Sequence, residues 1–406
     1  MFVVPKTAGG HPRLVIAIVA VVVLAASVFA AIQTSRPGAE AAITAHGAAP
    51  PRPPVQVVED LPLLAAEMAR HPRFMGGILV ARGDTVLFRQ VYGLADVDTG
   101  QPLSLTSRFR LASVSKQFTA AAVLRLQDQG KLNVTDPVCR WIQPCPTAWQ
   151  PVRIEHLLSH TSGIPDLMAR PGWGTRRVTP ATLDQLTEDS TRFGLSFAPG
   201  TKVAYDNAGF NLAAAIVERA SGMAFADYLK VTFFGPLGMD DTGLGDADGV
   251  VAGHAQFPRG LTAQREPNVS IVMGAGALYS TLDDQLAWQR ALHHGHVVSA
   301  PAYAAMIADH SPADTKPERG RPHRFWGFGL FDKALGLQVV PAFAERQIYH
   351  TGSWSGFRNL VTYQPEADVT VIVLSNDYHQ RDQVFLISQQ AVAEALGRPF
   401  PTGLDR

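Results

Sequence analysis

The pattern of apolar positions changes along the chain from strand-like runs near both ends to helical spacing in the middle. Residues 61–70 (LPLLAAEMAR) carry helical spacing, with Asp60 as the candidate N-cap and Pro62 tolerated in the first turn. Two runs rich in apolar and β-branched residues follow, 74–82 (FMGGILVAR) and 85–92 (TVLFRQVY), and Gly83-Asp84 between them predicts a hairpin. Helical stretches at 114–129, 211–220 and 225–234 stop at Gly130, Ser221-Gly222 and Gly235-Pro236. Towards the end, 358–364 and 368–375 read as strands around Pro365-Glu366-Ala367, and 383–396 as a helix. The expected fold is therefore α+β: one antiparallel sheet built from both chain ends and flanked by the first and last helices, with a mainly helical region inserted.

The first 54 residues do not fit that pattern. Residues 14–32 run without a charge or strong polar break behind Lys6 and Arg13, as an export signal or membrane anchor does. Val28 and Ala30 suit cleavage, whereas the length also suits a retained span, so 1–33 is read as either a signal peptide or an anchor. Basic residues ahead of the run would leave the rest of the chain outside the membrane, an exported, extracytoplasmic location. Residues 34–54, with Pro50, Pro51, Pro53 and Pro54, form a spacer, and the folded domain is expected over 55–406.

Composition narrows the options further. With 35 basic and 35 acidic residues the chain has no net charge, which argues against a nucleic-acid partner. The two cysteines, Cys139 and Cys145, share one Pro-rich turn region and suit a short disulfide in an oxidising compartment, or two reduced thiols. Alone they cannot build a structural zinc site. No cofactor is expected, and the enzyme-sized body is expected to act as a monomer.

Chemistry concentrates in three short segments. Ser113-Val114-Ser115-Lys116 lies where a helix begins, so Lys116 shares a face with Ser113 and can activate its hydroxyl once burial or nearby charge lowers the amine pKa. Taken alone, the same tetrapeptide reads equally as an N-cap and a solvated lysine. Tyr205-Asp206-Asn207 offers a phenol able to shuttle protons and an amide able to hold both lysine and substrate. His350-Thr351-Gly352-Ser353 precedes the closing strands. There Gly352 lets a substrate lie against the backbone, and the N–H groups of Ser353 and Ser113 suit an oxyanion. Trp354 beside it is expected to line the substrate site, while Trp141, Trp149 and Trp326 read as core or cleft-wall residues. Asp283 and Asp284 read as helix caps.

In this order the three segments resemble the serine β-lactamase and penicillin-binding-protein superfamily, in particular its class C-like branch. The stretches 156–163 (HLLSHTSG), 235–239 (GPLGM) and 274–281 (GAGALYST) resemble it too, and the likeness spans about residues 60–395. It implies a β-lactamase/transpeptidase-like fold, Ser113 as the acylated nucleophile, Lys116 as its activator and Tyr205 as partner acid/base. Asn207 and Thr351 would position the substrate, with His350, Gly352, Ser353 and Trp354 around it. Two positions depart from the pattern: His350 stands where antibiotic-hydrolysing members usually carry lysine, and Asp206 where serine is frequent. An imidazole near its ordinary pKa holds a carboxylate less firmly than lysine does, so the expected substrate is an ester or a D-amino-acid peptide, peptidoglycan fragments included, with β-lactam hydrolysis slow or absent.

Two rival readings come from other classes. One is a penicillin-sensing or peptidoglycan-binding ectodomain that is acylated without turnover. The other is a metallohydrolase using His156 and His160, four apart, with Glu155 or Asp166.

Overall fold

The computed structural model describes residues 56–405 apart from Glu59, Arg259, Glu266, Asp314 and 316–322. The segments read as signal or anchor (14–32) and as spacer (34–54) lie outside the described residues.

Neighbouring residues of one strand feed two different hydrophobic cores. Ile78 and Val80 pack with Val371 and Val373 into one cluster, while Leu79 and Ala81 pack with Ile372 and Leu374 into another. A strand buried on both faces needs apolar side chains at successive positions, which is why these runs show no polar alternation in the sequence.

The sheet has eight strands. In chain order they are Gln56–Val57 (β1), Gly76–Arg82 (β2), Thr85–Tyr92 (β3), Phe325–Trp326 (β4), Phe331–Lys333 (β5), Gln347–Trp354 (β6), Phe357–Gln364 (β7) and Val369–Ser375 (β8). Their order across the sheet is β1-β3-β2-β8-β7-β6-β5-β4, so strands from the two chain ends meet at the β2–β8 pair. All pairings are antiparallel except β1 with β3, and this parallel edge departs from the all-antiparallel expectation. The short strands β4 and β5, absent from the sequence reading, extend the β6 side.

One face is covered by helix α1 (Pro62–Ala69) and the last helix, Arg381–Ala395. The other face carries the helical region, including α2 (Lys116–Asp128), α3 (Asn207–Ser221) and α4 (Leu282–His293). The last helix is α5; of the five, α2 carries Lys116 and α3 begins with Asn207. Helix α2 is buried at every position from Lys116 to Leu126 except Arg125, so it lies inside the helical layer.

Two cap assignments differ from expectation. Asp60 does not cap α1; Leu61 takes the cap position, and the first free N–H groups, of Leu63 and Leu64, donate to the Glu394 carboxylate of α5 at 2.8 and 2.7 Å. Thr281 caps α4 by accepting from the Asp284 N–H, while Asp283 pairs with Arg89 and Asp284 accepts from Thr242 and the Asp241 N–H. Cys139 and Cys145 are disulfide-bonded. No helix among the described residues is long and apolar enough to cross a membrane.

Since one carboxylate satisfies two helix-terminal donors, Glu394→Ala is expected to lower stability by about 1 kcal/mol, as loss of a helix cap does. Urea denaturation of the two proteins checks it.

Candidate active site

The nucleophile candidate is presented by a tight turn rather than by a regular helix start. Residues Ala112–Ser115 form a 3-10 turn that runs into α2, and side chains three apart along such a turn lie over one another. Ala112, just before Ser113, has φ +51°, a left-handed conformation that costs a non-glycine residue roughly 1–2 kcal/mol. The surroundings hold it there. The Leu111 N–H donates to the Leu278 carbonyl at 2.8 Å, and the Asn359 amide on β7 donates to the carbonyls of Arg110 and Leu111 at 2.8 and 3.1 Å.

Gly352 completes this clamp, a role beyond the one expected for it. It is buried, and an added Cβ would run into the Leu111 carbonyl and the Asn359 amide. The missing side chain lets β6 lie against the nucleophile turn, so it serves the protein's own packing.

Lys116 is fully buried, with its Nζ 3.1 Å from Ser113 Oγ, 2.8 Å from Asn207 Oδ1 and 2.8 Å from the Ala275 carbonyl. Desolvation lowers its pKa to about 7, against the opposing charges of Asp166 and Asp206. Two of the three neighbours are acceptors only. A neutral amine therefore gives both its hydrogens to Asn207 and Ala275, and its lone pair is left for the Ser113 hydroxyl.

Tyr205 donates its hydroxyl hydrogen to Ser113 Oγ at 2.7 Å. Burial of that hydroxyl pushes the phenol well above its ordinary range, outweighing the Ser113 contact, and Asp166 and Asp206 push the same way. The residue as a whole is 39% exposed, because the ring borders the cleft while the hydroxyl points at Ser113. Ser113 thus sits between a base that is neutral near pH 7 and an acid that stays protonated there.

Asp206, the unusual middle residue of the second segment, is the N-cap of α3 and accepts from the N–H groups of Ala208 and Gly209. Burial, reinforced by Asp166, raises its pKa to about 7. Asn207 is oriented by Asp166, whose Oδ1 accepts from both its backbone N–H (2.8 Å) and its Nδ2 (3.1 Å). That contact turns the amide oxygen towards Lys116. Of the amide hydrogens expected to position substrate, one is already on Asp166 and the other faces Met168 Sδ at 3.9 Å.

On β6 burial alternates, with Thr351 and Ser353 exposed and His350, Gly352 and Trp354 buried. His350 donates from Nδ1 to the Thr351 carbonyl at 2.6 Å, so its buried Nε2 is an acceptor, with no hydrogen-bond partner among the described residues. Burial, then the charges of Lys116 and Arg324, lower its pKa to about 3. The fractional charge expected from an ordinary imidazole is therefore absent, and the ring is neutral at pH 7. Ser353 Oγ accepts from the Arg358 guanidinium.

Ser113, Tyr205, Asn207, His350, Thr351, Ser353 and Trp354 line one cavity of about 430 Å³, with Lys116 just beneath its surface. The structure thus places every expected site residue at the cavity wall except Lys116, just beneath it, and Gly352. Asp166, Met168, Arg324 and Phe331 also line it and were not expected there, and Trp326, read as a core or cleft-wall residue, lines it too. Trp326 and Phe331 come with the unexpected strands β4 and β5, whereas Asp166 had drawn attention only as a metal-ligand candidate.

The two histidines considered as metal ligands are engaged separately. His156 belongs to the short helix Ile154–Leu158 and its Nδ1 accepts from the Arg153 N–H. His160 lies beyond that helix at φ +60°, accepts from the Asp206 N–H and stacks on Tyr205 at 4.4 Å. Among the described residues no three His, Cys, Asp or Glu side chains are grouped to hold a metal ion.

A buried lysine and a tyrosine bracketing one serine, beside a sheet covered by helices, form the site of a serine hydrolase. The family model described as Beta-lactamase matches residues 63–394, and the chain belongs to that family. It is 29% identical over 360 residues to Penicillin-binding protein 4* of Bacillus subtilis (strain 168), covering 84% of this chain and 76% of that one. It is 26% identical over 351 residues to a D-aminopeptidase of Gluconobacter oxydans (strain 621H), covering 83% of this chain but only 62% of that protein. Among solved structures, the octameric penicillin-binding protein homologue from Pyrococcus abyssi shares the fold, with a TM-score of 0.70 at 24% identity over 83% of this chain and 77% of that one.

An amine that loses its proton near pH 7 beside Ser113 makes the reactivity of that serine titrate. The rate of labelling by a fluorophosphonate is expected to rise as pH passes through about 7 and to level off above it, since only the neutral amine accepts a proton. A rate profile from pH 5 to 9 checks this.

Proposed function

We propose that this serine hydrolase is exported and works through an acyl-enzyme on Ser113, cleaving small esters or D-amino-acid peptides. The observation that carries the reading is the Ser113 hydroxyl held 3.1 Å from a buried, deprotonatable amine and 2.7 Å from a phenol. Neutral Lys116 takes the hydroxyl proton as Oγ attacks the acyl carbon, and the N–H groups of Ser113 and Ser353 receive the oxyanion. Tyr205 then gives its proton to the departing amine or alcohol and recovers one from the Lys116 ammonium. Water replaces the leaving group, gives its proton back along the same route, and releases the acid and the free serine.

The neutral His350 supports a substrate without a carboxylate at that position, as in esters and internal amides. A relative named D-aminopeptidase supports the D-amino-acid half of the reading. Export is supported by residues 14–32 behind their basic flank, and by the bonded Cys139–Cys145 pair.

Intact-mass analysis after a fluorophosphonate is expected to show one adduct on the wild type and none on Ser113→Ala. Tyr205→Phe, which loses only the acid, is expected to turn over an ester about 100-fold more slowly, at the lower end of general-acid contributions. Rapid cephalosporin turnover by the wild type would contradict the proposed substrate class.

A further inference from the structure

Asp166 is the single acid among the described residues lining the catalytic cavity. Its contacts are all neutral N–H donors. Oδ1 is committed to Asn207 twice, at 2.8 and 3.1 Å, whereas Oδ2 receives only the Met168 N–H at 3.3 Å, beyond the usual range for a good bond. A carboxylate has about four acceptor positions, so Oδ2 keeps capacity for a ligand.

Among the described residues no cation donates a hydrogen bond to Asp166, although Lys116 and Arg170 lie close enough to feel its charge. Lys116 gives its hydrogens to Asn207 and Ala275 and not to Asp166, and His350 carries no charge at neutral pH. Arg324, which also lines the cavity, lies over the rings of Trp326 and Phe331 at 5.5 and 5.2 Å. Asp166 is also close to the chemistry, because Ser113, Lys116, Asn207 and Asp166 are linked by successive contacts of 3.1, 2.8 and 3.1 Å.

We propose that Asp166 Oδ2 binds the ammonium of the acyl half of the substrate, so that the preferred acyl donors are aminoacyl esters and amides whose amine is free. The short chain of contacts from Ser113 suits an amine on the carbon next to the scissile carbonyl. A blocked amine cannot make this contact: an acetamide has no charge and a single N–H. This inference rests on Ser113 being the acylated residue.

The test pairs D-alanine p-nitroanilide with its N-acetyl derivative, on wild type and Asp166→Asn. Asparagine keeps an oxygen for Asn207 and removes the charge together with the Oδ2 acceptor. In the wild type the free amine is expected to be favoured at least about tenfold in kcat/KM, the scale of one charge-assisted hydrogen bond. In the variant the ratio is expected to fall towards one, chiefly through a higher KM for the free amine. A second readout needs neither turnover nor the variant: D-alaninamide is expected to slow fluorophosphonate labelling of wild-type Ser113, and N-acetyl-D-alaninamide is not. Equal protection by both amides, equal or faster cleavage of the acetylated substrate, or a ratio unchanged in Asp166→Asn would overturn the role given to Asp166. Absence of any adduct on Ser113 would instead overturn the acyl-enzyme reading itself.

Discussion

The fold is organised around one costly act, the burial of the Lys116 amine. An ammonium moved out of water without a contacting counter-ion is strongly unfavourable, and the group escapes that cost by giving up its proton. Asn207 and the Ala275 carbonyl accept the two remaining hydrogens, and the direction left open is that of Ser113. Nucleophile activation is in this sense a by-product of satisfying a buried lysine.

That arrangement needs contributions from distant parts of the chain, and the sheet and helices supply them. The nucleophile turn is bound to the sheet through Asn359 and fits against β6 because Gly352 has no side chain. Helix α2 carries Lys116, α3 begins with Asn207, and the Met273–Gly276 helical turn provides Ala275. Asp166, from the loop after the Ile154–Leu158 helix, then fixes which way the Asn207 amide faces. The partners that hold these groups belong to the folded protein, so the contacts are made without a ligand.

Much of this was legible in the sequence, for identifiable reasons. Strands β2, β3, β7 and β8 announce themselves as apolar, β-branched runs bounded by turn residues, and the helix ends at Gly130 and Gly222 by glycines in the left-handed region. Strands β4 and β5 were missed because two or three residues carry no periodicity, and with them went Phe331. The pairing of Ser113 with Lys116 followed from spacing, but the two acceptors on the amine did not: a backbone carbonyl such as Ala275 leaves no mark in a sequence. His350 was recognised as a departure from the family pattern, yet its complete loss of charge comes from burial, which only the packed structure reveals. Gly352 carries a further role that its motif did not show, since its missing side chain is needed by the protein's own packing.

The most direct test of the account is the titration of Lys116 itself, followed by NMR of the lysine side chains labelled with carbon-13 at Cε, with Lys116→Arg assigning the signal. Titration near pH 7 is the result the structure predicts. A Lys116 signal that stays that of an ammonium until about pH 10, the ordinary range for lysine, would contradict it and remove the base from the site.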